Sequence, residues 1–422
     1  MTITQDNTEQ PSMAIIAEAQ QASIVQQPTQ IHQAPSQRPL VPEWYQSIES
    51  MLLIWAAKGV SDVQMVSDQN VWLVERDEHI QTNVILQRDH ILALANYWQP
   101  EDRTYNQDSG SHILVNGKSG ILELMKQIGE WRARIIFRRQ ESGFGVTMRF
   151  IPPNPPSLES NPQPQQVLDL LTINNGLFIV SGPTGSGKTT LLATLINEYN
   201  RLQHKHILTI EDPIEFVHRP INSLITQMEV GRDVDSFAGG IKAAVRSKAQ
   251  VILVGELREL DAIEAALDAA NKGHLVFATA HASSASQCIE SMVSNFPGDK
   301  QNLIKNRIAE VMKIVMVQRL VPNINGKLIP VREIMLDHTT TSPRIREGKF
   351  NELTGALKKE NNMISFETSL YELYEQNQIT EETAMKFANV KDDLIYKIQR
   401  LNERRQNDNT TQPSKEWDGN QK

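Results

Sequence analysis

The chain has 422 residues, of which 40% are hydrophobic and 22% are charged, and its formal net charge is −8. This length and composition are typical of a soluble globular protein with two or three domains. The acidic balance argues against a dedicated nucleic-acid binder, and no apolar run approaches the roughly 18 residues of a membrane span. No secretory signal is visible and the single cysteine, Cys288, cannot form an internal disulfide, so a reducing cytoplasm is the expected compartment.

The two ends of the chain are polar. Residues 1–41 are rich in Gln, Ser, Thr and Pro, a composition that cannot bury enough apolar surface to offset the entropy lost on ordering. We predict a disordered extension there, with a short helix near residues 13–25 as the alternative. Residues 404–422 are also polar, and we predict that they form a frayed tail.

Residues 42–150 mix helical and strand-like patterns and predict a compact α+β domain. The predicted elements are a helix at 44–57, strands near 63–65 and 71–74, a helix at 90–97, and strands near 134–137 and 146–150. Gly143 and Gly145 suit a hairpin turn between the last two strands. The next segment, 151–164, is rich in proline and predicts a stiff linker, because proline fixes φ and removes a hydrogen-bond donor.

Residues 165–345 alternate apolar strands with helices. That rhythm predicts an α/β core with a mostly parallel sheet covered on both faces. Residues 346–403 have a helical pattern and predict a C-terminal helical region. The predicted fold class is therefore α/β, with a smaller α+β domain before the core and helices after it.

A glycine-rich loop lies near the start of the core. Gly182-Pro-Thr-Gly185-Ser-Gly187-Lys188-Thr189 fits the phosphate-loop pattern, with an apolar strand at 177–180 before it and a helix at 190–196 after it. Such a loop wraps backbone N–H groups around phosphate oxygens, Lys188 reaches the β and γ phosphates, and the Thr189 hydroxyl holds Mg²⁺. The predicted cofactors are ATP and Mg²⁺, and the predicted binding residues are Gly182, Pro183, Thr184, Gly185, Ser186, Gly187, Lys188, Thr189 and Thr190.

Three further apolar runs each lead to polar residues. Glu211 and Asp212 follow the run 206–210, Glu256 follows 251–255, and His281 follows 274–279. Ligands of open parallel sheets bind beyond the carboxyl ends of the strands. We therefore expect these residues and the glycine-rich loop to deliver their chemistry to one crevice.

Each of these residues has a predicted role. Glu256 is the candidate general base, since a carboxylate beside the γ-phosphate can deprotonate water. Glu211 and Asp212 are candidates to hold Mg²⁺, directly or through water. At least one of them is expected to do so, and capping of the following segment is the alternative role for the other; Glu215 is a weaker candidate. His281 either contacts the γ-phosphate and Glu256 or is an ordinary polar residue near the core.

Five arginines give the 42–150 segment a basic side, namely Arg132, Arg134, Arg138, Arg139 and Arg149. One interpretation is a solvated sheet face. The other is that some of them reach a phosphate held by a neighbouring subunit, as arginine fingers do. The sequence leaves both interpretations open.

From about residue 42 to 400 the chain resembles the PilT-type secretion ATPases, the hexameric motors of type IV pili and of type II and type IV secretion systems. Four blocks in the family's order carry the resemblance: Walker A at 182–189, an Asp box at 209–218, Walker B at 251–258 and a His box at 273–281. The resemblance implies a RecA-like core and a PAS-like N-terminal domain. It implies a ring of six subunits that works with a membrane platform at the cytoplasmic face of the inner membrane.

The resemblance also implies residue roles. Glu256 is the implied catalytic glutamate, Glu211 acts near Mg²⁺, and His281 senses the γ-phosphate. Arg134 and Arg149 fall where the family places arginines that reach nucleotide.

Two departures separate the chain from pilus-retraction members. Arg246-Ser-Lys248-Ala-Gln250 replaces an acidic stretch before Walker B, and 341–349 keeps only the end of a retraction motif, with Pro343 interrupting the helical pattern. These departures count against pilus retraction. Three blocks look closer to the DotB/TraJ branch, which serves type IVB secretion and conjugal plasmid transfer: Leu191-Leu-Ala193, Arg246-Ser-Lys248, and Gln318-Arg-Leu-Val-Pro322 with Gly326-Lys327. The sequence therefore favours that branch over pilus retraction. A nucleic-acid translocase and a nucleotide-binding subunit without turnover are further alternatives.

Overall fold

The structure, a computed structural model, describes residues 43–75, 78–99, 108–158 and 163–410. The predicted N-terminal extension therefore lies outside the described residues, as do residues 411–422 of the predicted tail. The chain divides into two units at the boundary between Ile54 and Trp55. Among the described residues, no helix is long and apolar enough to cross a membrane.

The described helices follow the chain in this order: α1 (Glu43–Ala57), α2 (Arg88–Trp98), α3 (Gly110–Asn116), α4 (Gln165–Leu168), α5 (Lys188–Leu202), α6 (Phe237–Arg246), α7 (Leu260–Asn271), α8 (Ala285–Ser294), α9 (Gly298–Val311), α10 (Ser342–Glu347), α11 (Phe366–Glu375), α12 (Glu381–Phe387) and α13 (Lys391–Thr410). Short 3-10 helices lie at Asp169–Thr172, Phe350–Glu352, Thr354–Ala356 and Lys359–Asn361. The strands are β1 (Asp62–Val66), β2 (Asn70–Glu75), β3 (Glu78–Ile85), β4 (Ile121–Ile128), β5 (Trp131–Gln140), β6 (Gly143–Ile151), β7 (Gly176–Ser181), β8 (His206–Glu211), β9 (Leu224–Glu229), β10 (Val251–Val254), β11 (Leu275–Ala280), β12 (Met312–Pro322) and β13 (Leu328–Leu336).

The first six strands form one antiparallel sheet in the order β3-β2-β1-β6-β5-β4. Strand β5, next to the edge strand β4, alternates, with Ala133, Ile135 and Phe137 fully buried, as expected for a half-buried strand. The sequence analysis missed β3, β4 and α3. Both missed strands are edge strands, and β3 buries almost none of its side chains, so it carries no strong apolar alternation.

The remaining strands form a seven-stranded sheet in the order β13-β12-β7-β11-β10-β8-β9, in which only β13 runs antiparallel to its neighbour. Strands β7, β10 and β11 are buried along their whole length. Successive residues of β7 enter different apolar clusters, Leu177 and Ile179 on one side, Phe178 and Val180 on the other. The sheet is thus covered on both faces, as predicted.

Two details of the C-terminal region differ from the predictions. Pro343 does not interrupt a helix but lies in the first turn of α10, where a missing backbone N–H costs no hydrogen bond. That helix ends at Gly348, whose φ of 75° is the left-handed conformation of a C-cap glycine. Helix α13 continues to Thr410, so residues 404–410 are helical rather than part of the predicted tail, because a polar composition does not prevent helix formation.

Candidate active site

The register of the parallel strands brings four strand ends to one edge of the larger sheet. Ser181 at the end of β7 pairs with Ala280 at the end of β11, and Val254 at the end of β10 pairs with Ile210 of β8. The glycine-rich loop, His281, Glu256 and Glu211 follow or end these strands. The expected convergence at the carboxyl ends is therefore present in the backbone.

The loop between β7 and α5 requires its glycines. Gly182, Gly185 and Gly187 have φ angles of 144°, 77° and 82°, a region that side chains disfavour. A Cβ on Gly182 would overlap the carbonyl oxygen of Gln318 in β12. Helix α5 begins at Lys188, directly after Gly187, so the N–H groups of its first turn open toward the loop and can bind an anion.

Lys188 is buried and lies folded against the loop. Its Nζ donates to the carbonyl oxygens of Gly182 at 2.8 Å and Pro183 at 3.0 Å. Burial lowers the pKa of Lys188, and the nearby Glu256 carboxylate opposes that shift. The charges of Lys188 and Glu256 therefore interact, although the two residues follow different strands.

Glu256 and His281 lie side by side, with His281 Nε2 at 3.6 Å from Glu256 Oε1. Two backbone-directed hydrogen bonds fix the turn that carries Glu256: the Thr279 hydroxyl donates to the Gly255 carbonyl, and the Leu257 N–H donates to the Thr279 carbonyl at 2.9 Å. Both side chains remain partly exposed to solvent. They border a cavity of about 470 Å³, which also extends along α8.

Glu211 lies at the end of β8 in a more enclosed environment. Its carboxylate accepts hydrogen bonds from the Thr209 hydroxyl at 2.7 Å and the Gln227 amide at 3.2 Å. Burial raises the pKa of Glu211 to about 7, an effect that these two hydrogen bonds oppose. Asp212 is exposed and Glu215 is half-buried.

The residues predicted to hold Mg²⁺ have suitable chemistry, since Thr189 supplies a hydroxyl and Glu211 a carboxylate at the same sheet edge. Within the described ranges, no group of three or more His, Cys, Asp or Glu side chains could hold a metal ion. In sites for nucleotide phosphates, Mg²⁺ commonly binds through one or two carboxylates together with phosphate oxygens and water.

The arginines of the smaller sheet are held mainly by their own sheet. Arg134 Nε donates to Glu123 Oε1 at 2.6 Å, and Arg149 Nε donates to Asp62 Oδ1 at 2.7 Å. Arg132 instead reaches the core, where it donates to the Ile214 carbonyl at 2.8 Å, in the segment after Glu211. The structure therefore does not bring Arg134 or Arg149 onto the loop within one chain.

His274 lies at the opposite end of β11 from His281. Its Nδ1 lies 2.6 Å from the Ala249 carbonyl oxygen, a contact that ties two strand starts together. The sequence analysis gave no role in the site to two residues that lie beside it, Ser181 and Gln318. Ser181 Oγ bonds both the N–H and the carbonyl of Ala282, and Gln318 bonds the glycine-rich loop. Their partners are over one hundred residues away, so no local pattern marked them.

Comparison with known proteins adds to this geometry. The profile of the family described as "Type II/IV secretion system protein" matches residues 144–413, well over half of the chain. The chain belongs to the type II/IV secretion system protein family. Among its relatives, the type IV pilus ATPase PilU of Pseudomonas aeruginosa is 34% identical over 310 residues, which is 73% of this chain and 78% of PilU. The retraction ATPase PilT of the same organism is 37% identical over 230 residues, 54% of this chain and 67% of PilT.

Solved structures of the secretion family share the fold. The pilus retraction motor PilT with bound ADP superposes with a TM-score of 0.73 at 29% identity, covering 83% of this chain and 99% of PilT. The Legionella pneumophila ATPase DotB superposes with a TM-score of 0.69 at 26% identity, covering 80% of this chain and 94% of DotB. The predicted family, fold class and enzyme class, an ATPase, are confirmed. The comparisons include both pilus and DotB proteins and do not decide between the two branches.

Proposed function

We propose that this secretion-family ATPase binds ATP at the loop 182–189 and hydrolyses it beside Glu256. The observation that carries the proposal is the convergence of four strand ends, which places the buried Lys188 where the Glu256 carboxylate opposes the lowering of its pKa by burial. A P-loop lysine and a carboxylate base at one edge are the parts that phosphoryl transfer to water requires. A subunit that only bound nucleotide would have no need of the pair formed by Glu256 and His281.

In the proposed cycle, the first-turn N–H groups of α5 bind the phosphates, and Lys188 exchanges the carbonyls of Gly182 and Pro183 for phosphate oxygens. Glu256 accepts a proton from the attacking water, and His281 orients that carboxylate and contacts the γ-phosphate. Thr189 and Glu211, with Asp212 through water, would hold Mg²⁺. When bound, the ion neutralises charge on the phosphates.

The proposed assembly is a ring of six chains in which a neighbour completes each site. The smaller sheet supports this idea, because Arg134 and Arg149 are paired with carboxylates and do not contact their own loop. In the ring, these arginines reach the nucleotide of an adjacent subunit. The motor works in the cytoplasm, on a membrane platform at the inner face of the inner membrane.

The proposed machine is a type IV secretion or conjugal plasmid transfer apparatus. The stretch from Arg246 to Gln250 supports this choice, since it lacks the acidic residues of retraction motors.

Pilus retraction is the second candidate. The identity to PilU and PilT favours it, and the position of Pro343 in the first turn of α10 removes one objection to it. A nucleic-acid translocase is a less favoured candidate because the chain is acidic.

A strain that lacks the chain tests the choice of machine, scored in parallel for plasmid transfer and for twitching. We expect transfer to be lost and to return with the wild-type gene but not with a Lys188→Ala variant. Loss of twitching with normal transfer would assign the chain to retraction. Strong stimulation of the purified ATPase by single-stranded DNA, with a steep salt dependence, would instead indicate a translocase.

A further inference from the structure

Gln318 and Arg332 form a buried polar pair next to the glycine-rich loop. They lie opposite each other in the β12–β13 register, and their exposed fractions are 3% and 8%. Buried polar side chains are costly unless their hydrogen bonds are satisfied. The hydrogen bonds that Gln318 and Arg332 make therefore indicate their structural role.

The side chain of Gln318 bonds the loop directly. Its Nε2 donates to the carbonyl oxygen of Ser186 at 2.7 Å, and both groups are buried. A Cβ added to Gly187 would lie 3.0 Å from the same Nε2, while one on Gly182 would overlap the Gln318 carbonyl. Gln318 thus lies against Gly182 and Gly187 of the loop and bonds the Ser186 carbonyl between them.

Arg332 determines which way the Gln318 amide points. Its Nε donates to Gln318 Oε1 at 2.9 Å, so the oxygen faces Arg332 and the NH₂ group faces Ser186. Arginine has no acceptor, so the reversed amide would set one donor against another. Beyond the pair, the Arg332 backbone N–H donates to Ser369 Oγ of α11 at 3.3 Å. The Arg332 backbone is thus held by a C-terminal helix, while its side chain orients Gln318 beside the loop.

We propose that Gln318 is a positioning residue for phosphate binding and that Arg332 holds it in the required orientation. Tethering the Ser186 carbonyl to β12 keeps Gly187 in its left-handed conformation, and this conformation directs the following N–H groups toward the phosphates. The proposal rests on the proposed function of the loop as the nucleotide site. It concerns how that site is shaped and assigns no chemical step to Gln318.

Two substitutions separate this role from simple packing. Gln318→Met keeps the length of the side chain and removes both hydrogen bonds. Gln318→Glu keeps the acceptor for Arg332 but replaces the donor with a carboxylate that faces the Ser186 carbonyl. Fluorescent mant-ADP binding, turnover at saturating ATP and the thermal midpoint without nucleotide are measured for both variants. Ser369→Ala serves as the control because the Ser369 hydroxyl bonds the Arg332 backbone and not the guanidinium that orients Gln318.

We expect both Gln318 variants to bind mant-ADP about tenfold more weakly, with Gln318→Glu the weaker binder despite its ion pair with Arg332. Turnover at saturating ATP should change by less than about threefold, and Ser369→Ala should bind like the wild type. A merely structural role predicts the opposite order, because an ion pair with Arg332 would restore the packing. Near wild-type binding by Gln318→Glu would overturn the proposal, even if Gln318→Met did not fold.

A Lys188→Ala variant in the same titration distinguishes an error in the proposed nucleotide site from an error in the positioning role of Gln318. If the wild type does not bind mant-ADP, or Lys188→Ala binds it equally well, the loop is not the nucleotide site. If Lys188→Ala loses binding while both Gln318 variants keep it, only the positioning role is wrong.

Discussion

Glu256 and His281 come from two different strand ends, and their side chains meet because the neighbouring backbone is tied together. The Thr279 hydroxyl holds the Gly255 carbonyl, and Ser181 holds the turn after His281 through Ala282. Glu256 keeps contact with solvent, so water can reach it. A carboxylate with these properties suits a base that activates water for attack on a bound phosphate.

Substitution of Glu256 tests this role directly. Glu256→Gln should bind nucleotide like the wild type and release phosphate at least about 100-fold more slowly, because the amide cannot accept a proton. Lys188→Ala should lose both hydrolysis and tight binding, since Lys188 is the buried cation of the loop. Phosphate release and mant-ADP titration measure the two effects. Glu259→Gln is the matched control, because Glu259 is exposed and lies three residues further on. Phosphate release by Glu256→Gln at close to the wild-type rate would refute the assignment.

The β12–β13 hairpin touches both sides of the site. Through Gln318 and Arg332 it contacts the glycine-rich loop, and through Arg319 and Glu333 it contacts the segment after His281. The Arg319 guanidinium donates to the Ser283 carbonyl at 2.9 Å and lies 4.4 Å from the centre of the Phe366 ring in α11. The hairpin therefore joins the active-site edge to the C-terminal helices.

Glu333 makes this junction sensitive to pH. Burial raises the pKa of Glu333 to about 7 from an ordinary 4.5, and the nearby Glu367 adds to the rise. A hydrogen bond from the Ala285 N–H at 2.6 Å and the charge of Arg319 oppose it. The folded protein holds a proton that the unfolded chain releases. This contribution to stability is therefore complete below about pH 4.5 and is lost as the pH rises through about 7.

Glu333→Gln should therefore stabilise the protein relative to the wild type at pH 8, by about 1–3 kcal/mol, and should lose that advantage by pH 5. The amide oxygen can still accept from Ala285 and carries no charge to bury. Urea unfolding at pH 5, 6, 7 and 8 gives the free energies of unfolding. Glu290→Gln, at an exposed position of α8, should differ from the wild type by a constant amount. A stability difference for Glu333→Gln that does not change with pH would contradict the explanation.

In the whole molecule, the larger sheet supplies the residues of the site, and the smaller sheet contacts the segment beside them. The larger sheet supplies the loop, Glu256, Glu211 and His281 at one edge. The smaller sheet contacts the core through Arg132, whose guanidinium bonds the Ile214 carbonyl in the segment after Glu211. Arg134 and Arg149 are paired with carboxylates of their own sheet and do not contact the loop.

The proposed ring gives a measurable consequence. Sedimentation with bound nucleotide should show a particle of about six times the 47.7 kDa chain mass. Arg149→Gln should slow phosphate release at least about tenfold without lowering the thermal midpoint by more than a few degrees, because the Arg149 side chain is 60% exposed and the glutamine amide can still donate to the partly buried Asp62. Arg138→Gln is the control, since Arg138 bonds Thr147 and Gln140 within the sheet. Full activity of a monomeric species would exclude the shared site.

Local features of this chain could be recognised from the sequence because their causes are local. The strands β7, β10 and β11 are continuous apolar runs, as strands buried on both faces must be, and the loop pattern depends on glycines that adopt positive φ. The edge strands β3 and β4 carry no such marked apolar pattern and were missed, since an edge strand buries few side chains. Pro343 was misinterpreted because a helix-breaking residue is also a common first-turn residue.

The sequence by itself determined the fold class, the phosphate-loop pattern and the polar residues at the strand ends. Only the tertiary structure decided which of them meet and what holds them: Glu256 with His281, Arg134 with Glu123, and Gln318 with a loop 132 residues earlier in the chain. The physical reason is that hydrogen-bond partners are chosen by strand order and register. A parallel sheet brings together residues that are far apart in sequence, and no short-range pattern records their distance or orientation.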